Sequence, residues 1–336
     1  QAPCPMSPSK ETEVIRQAKL VLAEGLVCPT TSPSDVPPLL VDEPGGRAPR
    51  LCMDLRRWNA NTVTCHFELP GIRDIANVLA TSRVYSQVDC TSGYQMVPLA
   101  DDDGPVPSSH QLAFTLPRNH GRFAMSRLTF GVADAMHTFN RAMTAVLRDH
   151  FDYCSVYVDD CNIHSGSAHM DEHEIVEEHL VHLDNVLTAL AKAGAKLGAH
   201  KTKIFQTKIT ALGLYIADGV IQVDREKYRA IDELRPPATQ KELQVAMGLL
   251  GIARSFCPGF AGIAEPLHQL MSGDHRSFKW LPQHQQAFDT LRRRLKSTKG
   301  LHAPNWDLPF EVWADASQTS SGGMLSQRDA SGVPRV

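Results

Sequence analysis

The residues best suited to chemistry in this 336-residue chain are two adjacent carboxylates, Asp159 and Asp160, which follow Tyr157 and Val158. Two like charges held side by side cost free energy unless a cation neutralises them. Carboxylates are the ligands that Mg²⁺ prefers, and paired-metal sites recur in phosphoryl transfer. A four-residue pattern of this kind arises by chance in roughly one of every few tens of chains this long, so it indicates a metal site only in context.

Two alternating runs of residues are expected to position these acids. Residues 153–158 alternate in the manner of a β-strand, and apolar and polar residues follow at 161–164, so the acid pair is predicted to occupy a hairpin turn. Residues 84–88 alternate in the same way and lead directly to Asp89. If both strands belong to one sheet, three carboxylates meet at one edge, enough to hold two Mg²⁺ ions against a triphosphate. Taken alone, Asp89 also fits a turn acid that ends a strand.

Helical patterns alternate with these strands, which favours an α/β architecture. Residues 136–147 predict a helix beneath the sheet, with an apolar stripe formed by Phe139, Met143, Val146 and Leu147. A second helix is predicted from the stripe Val176, Leu180, Leu183, Leu187 and Leu190, and Gly194 is expected to cap it. Four histidines lie on or near that second helix, namely His169, His173, His179 and His182. They are compatible with a metal site or with a structural role.

Turn and cap signals mark the second half of the chain. Asp218 and Gly219 predict a tight hairpin turn between two apolar runs. Thr239 and Glu242 form a capping box at the start of a helix, and Pro282 is placed to begin another. This last helix is predicted to bury Phe288, Leu291 and Leu295 and to expose Arg292, Arg293 and Arg294.

Composition is that of an ordinary globular protein, with 42% hydrophobic and 21% charged residues and a length that allows two or three subdomains. No apolar run reaches membrane-spanning length and no secretory leader is present, which favours an intracellular protein without a membrane partner. The eight cysteines include no Cys-x-x-Cys pair, so neither a zinc site nor a disulfide framework is indicated.

The net charge of −3 is distributed unevenly. Residues 146–190 hold one basic residue against ten acids, whereas residues 191–230 hold eight basic residues against three acids. A second basic cluster lies at residues 292–299. Nucleic acid is expected along the two basic stretches, although solvated helix faces would explain the same lysines and arginines.

Short motifs follow one another along nearly the whole chain in an order typical of one protein family. They lie at residues 51–59, 88–94, 112–115, 130–135, 157–160, 179–182, 201–205, 212–214, 236, 241–243, 249–251, 310–317 and 323–327. In this order they resemble the reverse transcriptase segment of gypsy-type LTR retrotransposon polyproteins. The joint match is far more specific than any single motif.

The resemblance implies a mixed α/β (α+β) fold of the right-hand polymerase type. Residues 1–235 would form the fingers and a palm, in which an antiparallel sheet lies on helices. Residues 236–300 would form a helical thumb or connection, and residues 301–336 the truncated start of a ribonuclease H-like domain. His179 and His182 match family positions that have no catalytic role.

The resemblance also implies a reaction and its residues: extension of a primer 3′-hydroxyl with deoxynucleoside triphosphates by an RNA-directed, and also DNA-directed, DNA polymerase. The catalytic and metal-binding residues would be Asp89, Asp159 and Asp160, with two Mg²⁺ ions or Mn²⁺ in their place. Substrate would contact Arg50, Arg56, Tyr94, Phe130, Gly131 and Lys201. Primer and template would contact Tyr157, Leu212, Gly213, Arg292, Arg293 and Arg294. Asp315 matches the first ribonuclease H carboxylate, and one such acid cannot build a two-metal nuclease.

The implied partners are an RNA or DNA template with its primer, deoxynucleoside triphosphates, and the protease, ribonuclease H and integrase segments of a parent polyprotein. The expected location is a cytoplasmic retroelement particle or the nucleus. No membrane partner and no secretion are implied.

Several positions depart from the family pattern. The motif at residues 51–59 resembles the family's fingers motif and is called that below. Asp42 and Glu43 replace the lysines that precede it in the family, and only Arg47 compensates in part. Asp101–Asp103 lie in a longer loop. Met96, Gln111, Thr129 and Met136 also differ from the family's residues. These substitutions keep two alternatives open: a decayed or repurposed copy that binds primer-template without extending it, and a non-enzymatic assembly module.

Overall fold

A computed structural model describes residues 6–42, 48–64, 67–99, 111–167, 169–273, 278–298, 300–316, 321–329 and 331–336. Glu43, Arg47 and Asp101–Asp103, which the sequence analysis singled out, lie outside the described residues. The chain forms two compact units. The first comprises Gln1–Pro70, Gln87–Ile163 and His182–Lys203, and the second comprises Gly71–Ser86, His164–Val181 and Ile204–Val336.

Helices and strands alternate along the chain, as the sequence predicts for a mixed α/β protein. The α-helices are α1 Pro8–Ala23, α2 Arg56–Asn59, α3 Ile72–Ala80, α4 Ala135–Leu147, α5 Glu172–Lys192, α6 Arg225–Asp232, α7 Gln240–Ile252, α8 Phe260–Ser272 and α9 Pro282–Lys296. The first strands are β1 Val27–Pro29, β2 Pro38–Val41, β3 Arg50–Met53, β4 Val84–Asp89, β5 Ala113–Thr115, β6 Arg122–Met125, β7 Cys154–Tyr157 and β8 Asp160–Ser165. The later strands are β9 Lys203–Gln206, β10 Lys208–Ala211, β11 Leu214–Ala217, β12 Val220–Val223, β13 Leu301–His302, β14 Glu311–Ala316, β15 Ser321–Arg328 and β16 Pro334–Arg335.

Two small antiparallel sheets and one helix build the amino-terminal part of the first unit. Strands β1, β6 and β5 form one sheet in that order, and β2 pairs with β3 in the other. Helix α1 has Pro8 in its first turn, where the missing N–H is not needed. Its buried residues Val14 and Ala18, four positions apart, join Val27, Met53 and Phe114 in one apolar core. This core fixes β3, and therefore Arg50, in place.

Asp89 ends a strand and Asp159 lies in a hairpin turn, as the sequence predicts, whereas Asp160, which was predicted to share that turn, is the first residue of the following strand. Strand β4 ends at Asp89, and β7 and β8 form an antiparallel hairpin in which Tyr157 pairs with Asp160. The sheet that contains them has the strand order β7-β8-β4-β9. The predicted strand over residues 153–158 is shorter than expected because Val158 and Asp159 form the turn, hereafter the catalytic turn.

Helix α4 confirms its prediction, since Phe139, Met143 and Leu147 are buried. It packs against β7 and against the short 3₁₀ helix Gly93–Met96. These contacts connect the helix to both of the loops that carry predicted site residues.

The predicted face of helix α5 was right at its carboxyl-terminal end, where Leu183 and Leu190 are buried, and wrong at its amino-terminal end. Val176 and Leu180 are 43% and 52% exposed. The buried face instead contains Ile175, His179, Leu183, Val186 and Leu190. A buried histidine interrupts the apolar pattern, and the pattern therefore pointed to a neighbouring stripe. As predicted, Gly194 ends the helix with a φ of 74°, and the N–H of Ala195 donates to the Leu190 carbonyl.

In the second unit, β10, β11, β12 and β13 form an antiparallel sheet in sequence order. Asp218 and Gly219 have φ values of 51° and 74°, which confirms the predicted tight turn. The Thr239 hydroxyl accepts a hydrogen bond from the Glu242 N–H, which confirms the cap of α7. Helix α9 packs against α8 and α6 and buries Phe288, and β14, β15 and β16 form a final antiparallel sheet. Within the described ranges, none of the helices combines the length and the apolar composition that crossing a bilayer requires.

Candidate active site

Two carboxylates predicted from separate strands line one cavity of about 610 Å³ in the first unit, hereafter the active-site cavity. Asp89 reaches it from the end of β4, and Asp159 reaches it from the catalytic turn. Arg50, Tyr94, Phe130 and Lys201 line the same cavity, together with the chain segments on either side of Asp89. The structure therefore brings together six of the residues predicted for catalysis and substrate binding.

Lys201 contacts Asp89 directly. Its Nζ lies 3.2 Å from each carboxylate oxygen, and the Lys201 side chain is 58% exposed whereas that of Asp89 is 15% exposed. The turn at residues 198–201 holds Lys201 beside Asp89 through two backbone hydrogen bonds. The Gly198 N–H donates to the Asp89 carbonyl at 3.0 Å, and the Lys201 N–H donates to the Gly198 carbonyl. A Cβ on Gly198 would lie 2.9 Å from Thr91 Oγ1, so a larger residue here would force Thr91 to shift.

Asp160 is the third predicted acid, and it opens β8 opposite Tyr157. Burial raises the pKa of Asp160, the charges of Asp159 and Asp89 raise it further, and Lys201 opposes them. The Asp160 carboxylate is therefore close enough to those of Asp159 and Asp89 to be repelled by their charges. Asp160 does not line the active-site cavity, and no group of three or more metal-ligating side chains is formed among the residues that the structure describes.

Aromatic rings form one wall of the cavity. The Tyr94 ring meets Phe130 and Phe139 edge to face, with centroid distances of 5.1 and 5.5 Å. The Arg50 guanidinium carbon lies 5.3 Å from the Phe130 ring centroid. Burial, and then the charge of Asp159, raise the pKa of the Tyr94 hydroxyl. A Cβ on Gly93 would lie 2.7 Å from Phe139 Cζ, so only glycine lets this stack close.

The fingers motif supports this wall from outside the cavity. Asn59 donates from Nδ2 to the Gly131 carbonyl at 2.8 Å and accepts at Oδ1 from the Ala133 N–H at 3.0 Å. This double contact holds the loop that presents Phe130, and Gly131 in that loop has a φ of 92°. The motif by itself did not assign this role to Asn59.

Arg56 was predicted to contact substrate, but it does not line the cavity. Its guanidinium makes two hydrogen bonds to the Asp54 carboxylate, at 2.8 and 2.6 Å. The Asp54 side chain is only 2% exposed, so Arg56 neutralises a buried charge.

Two further residues were missed by the sequence analysis. His200 lines the cavity beside Lys201. The buried Asn140 of α4 accepts a hydrogen bond from the backbone of the catalytic turn. No periodic signal in the sequence indicated this contact, because Asn140 lies beside the apolar stripe of α4 and not within it.

The residues predicted to contact primer and template divide between the two units. Tyr157 ends β7 in the first unit. Leu212 and Gly213 form the β10–β11 turn of the second unit, with φ values of 55° and 79°. Asp315 lies in β14, where its backbone pairs with Gly322.

Of the three α9 arginines that were predicted to be exposed, Arg293 and Arg294 are exposed and Arg292 is not. Arg292 Nε donates to the Ile231 carbonyl at 3.2 Å, and its guanidinium lies 5.7 Å from the Phe288 centroid. Arg294 donates to the Pro258 carbonyl at 2.7 Å. Arg292 is therefore half-buried and joins α9 to α6, whereas Arg293 is exposed.

The histidines near α5 do not form a metal site among the described residues. Instead His179 is buried between two hydroxyls, with its Nε2 2.7 Å from Ser86 Oγ and its Nδ1 2.8 Å from Ser165 Oγ. Of the two roles that the sequence left open, this geometry supports a structural role for His179.

Family models match two parts of the chain. Residues 44–216 match the family described as "Reverse transcriptase (RNA-dependent DNA polymerase)", and residues 280–336 match "RNase H-like domain found in reverse transcriptase".

Curated relatives are similar along most of the chain. The Pol polyprotein from transposon gypsy of Drosophila melanogaster is 31% identical over 331 residues, which cover 94% of this chain and 30% of that protein. The polyprotein from transposon opus of the same organism is 29% identical, covering 94% of this chain and 32% of that protein. The enzymatic polyprotein of cauliflower mosaic virus (strain NY8153) is 27% identical, covering 96% and 46%. The chain thus spans between about a third and a half of these relatives.

Solved structures share the fold. A foamy viral protease-reverse transcriptase in complex with double-stranded DNA superposes with a TM-score of 0.82 at 24% identity, covering 100% of this chain and 56% of that one. The foamy viral enzyme in complex with an RNA/DNA hybrid gives a TM-score of 0.75 at 23% identity, covering 100% and 43%. The predicted polymerase fold and the gypsy-type resemblance are confirmed, and the chain belongs to the reverse transcriptase (RNA-dependent DNA polymerase) family.

Proposed function

We propose that this chain is the DNA polymerase segment of a gypsy-type retroelement. It extends the 3′-hydroxyl of a primer on an RNA or DNA template with deoxynucleoside triphosphates. The observation that carries the proposal is the convergence of Asp89 and Asp159 on one cavity lined by Tyr94, Phe130 and Lys201. Carboxylates supply metal ligands for phosphoryl transfer, and the aromatic wall suits a nucleoside.

Reverse transcriptases depend on a divalent metal, and these residues fit one. The Lys201 ammonium already lies 3.2 Å from both oxygens of Asp89, so this carboxylate accommodates a positive charge. Asp89 and Asp159 would hold two Mg²⁺ ions, or Mn²⁺ in their place, and Asp160 would add a third negative charge. When bound, such ions lower the pKa of the primer hydroxyl and stabilise the departing pyrophosphate.

The residues of the cavity position the incoming nucleotide. Arg50 contacts phosphate oxygens, which match its planar guanidinium. Phe130 and Gly131 border the nucleotide pocket, and Tyr94 lies beneath the sugar, where its ring excludes a 2′-hydroxyl. Once the Lys201 ammonium has moved away from Asp89, it donates a proton to the pyrophosphate.

Other residues act on primer and template. Leu212 and Gly213 support the primer end, where glycine permits close backbone approach. Tyr157 and the α9 arginines contact the nucleic-acid backbone, and Arg293 and Arg294 are the exposed members of the three. Arg56 acts through Asp54 and the fingers rather than by touching the nucleotide.

The parent protein is a polyprotein with protease, ribonuclease H and integrase segments, and it works in a cytoplasmic retroelement particle or in the nucleus. Within this chain, residues 1–235 form fingers and palm, residues 236–300 form the thumb, and residues 301–336 begin a ribonuclease H-like domain. The ribonuclease H match at residues 280–336 supports the last of these segments.

A second candidate function is binding of primer-template without extension. It is favoured by the position of Asp160 outside the cavity lining and by the lack of a three-ligand group among the residues described. Under this alternative the Lys201–Asp89 pair persists and no metal enters.

A primer-extension assay on polyriboadenylate with an oligodeoxythymidylate primer and Mg²⁺ distinguishes the two functions. We expect the chain to extend the primer and Asp89→Asn to lower the rate by about three orders of magnitude. Asp149→Asn is the matched control, because Asp149 has an 85% exposed side chain in the same unit and does not line the cavity. Binding without extension by the parent chain would establish the second candidate.

A further inference from the structure

The catalytic turn has an unfavourable backbone conformation. Val158 precedes Asp159 and has a φ of 55°, in the left-handed region that β-branched residues rarely adopt. Only two residues connect the paired residues Tyr157 and Asp160, so the chain must reverse its direction at Val158 and Asp159. Since such conformations persist only where the surroundings over-determine them, a further contact must hold the turn.

That contact comes from α4. The N–H of Val158 donates to Oδ1 of Asn140 at 3.2 Å, and Asn140 is 1% exposed. The neighbouring Phe139 packs edge to face on Tyr94, so one helix reaches both the catalytic turn and the aromatic wall of the cavity. Burying an amide without hydrogen-bond partners costs free energy, so the hydrogen bond to the turn accounts for an Asn at this buried position.

We infer that Asn140 is a positioning residue that holds the catalytic turn in its left-handed conformation and thereby aims the Asp159 carboxylate into the active-site cavity. This role rests on the proposed polymerase function. Asn140 itself does not line the cavity, so it acts through the backbone of Val158 and touches neither nucleotide nor metal.

The variant that tests this inference is Asn140→Leu, which keeps the branched shape of the side chain and removes the acceptor. We expect kcat for primer extension to fall by about tenfold or more, because a misaimed Asp159 weakens the reaction and not the binding. The primer-template Kd should stay within about twofold, since phosphate contacts govern it. Met143→Leu is the matched control: Met143 is also 1% exposed, lies one turn further along α4, and should leave both quantities unchanged.

A double-mutant cycle separates this role from a general effect on folding. Glycine adopts a left-handed turn without strain, so the turn of Val158→Gly needs the Asn140 anchor less. In the Val158→Gly background, Asn140→Leu should therefore lower kcat by about threefold or less. An equal loss in both backgrounds, or no loss in the parent background, would overturn the inference.

Amide hydrogen exchange provides a readout that is independent of activity. The Val158 N–H should exchange about tenfold faster or more in Asn140→Leu than in the parent, whereas Met143→Leu should not change it. Should Asn140→Leu fail to fold, Asn140→Ser carries the same expectations, because its hydroxyl is too short to reach the turn. Unchanged exchange at Val158 would overturn the anchor even if the parent chain proved inactive, while inactivity of the parent alone would count against the proposed function.

Discussion

The contact between Lys201 and Asp89 predicts a competition between an ammonium group and a metal ion. Lys201 Nζ lies 3.2 Å from both oxygens of a carboxylate that the proposed mechanism requires for metal binding. A divalent ion must therefore displace the ammonium before it binds Asp89. The replacement Lys201→Met removes the competing charge and keeps the unbranched side chain.

The size of the effect follows from the distance and the exposure. Two unit charges 3.2 Å apart attract one another by about 1.3 kcal/mol in a water-like dielectric. The Lys201 side chain is 58% exposed, so side-chain entropy and screening reduce the net value to about 0.5–1 kcal/mol. The dissociation constant of the metal should therefore fall by roughly two- to fivefold in Lys201→Met.

The assay is a titration of the protein with Mn²⁺ in the absence of nucleic acid, followed by electron paramagnetic resonance of the unbound ion. Lys196→Met is the control, because it removes the same charge from an exposed position in the same unit that does not line the cavity. We expect tighter binding only for Lys201→Met. Unchanged or weaker binding in that variant, or an equal gain in Lys196→Met, would refute the competition.

Three further predictions concern Asp160, Tyr94 and Arg292. Asp160→Asn should raise Tm by roughly 1–2 °C at pH 8 without metal, since the raised pKa of Asp160 means that its ionised form destabilises the folded state above that pKa. The gain should shrink as the pH falls through the pKa of Asp160, and a gain independent of pH would contradict this cause. Tyr94→Val should retain DNA synthesis and raise ribonucleotide incorporation by about tenfold or more, and equal rejection of ribonucleotides by a folded variant would remove Tyr94 from the sugar site. In urea unfolding, Arg292→Ala should lower the free energy of unfolding by about 1–3 kcal/mol and Arg293→Ala by less than about 0.5 kcal/mol, because only Arg292 is half-buried against backbone carbonyls; similar values for both would contradict this distinction.

The parts of the fold that sequence predicts well are those set by local chemistry. The acids at the ends of β4 and β7 follow from strand alternation, and the Asp218–Gly219 turn follows from residues that tolerate positive φ. The cap at Thr239 likewise depends only on residues three positions apart.

The parts that sequence did not predict depend on partners far along the chain. Asn59 holds a loop 72 residues away, and Asn140 holds a turn 18 residues away. Neither contact leaves a periodic signal. The prediction for the amino-terminal end of helix α5 failed for a related reason. His179 is buried because the hydroxyls of Ser86 and Ser165 bond to its ring nitrogens, and a prediction that assigns polar residues to the surface therefore chose the wrong face there.

The proposed metal site could be predicted from the sequence only in part. The sequence predicts three acids at one sheet edge. In the structure Asp89 and Asp159 line the cavity, and their charges raise the pKa of the third acid, Asp160. Whether a side chain lines a cavity depends on rotamers and on local countercharges such as Lys201, which a sequence pattern does not encode.

The most direct test of the account is a single-turnover measurement of nucleotide addition by Asp159→Asn, made together with its primer-template Kd. We predict a rate lower than that of the parent by about three orders of magnitude or more and a Kd within about twofold, because Asp159 serves the reaction while basic residues bind the nucleic acid. A parent-like rate of addition in this variant would contradict the assignment of the active site.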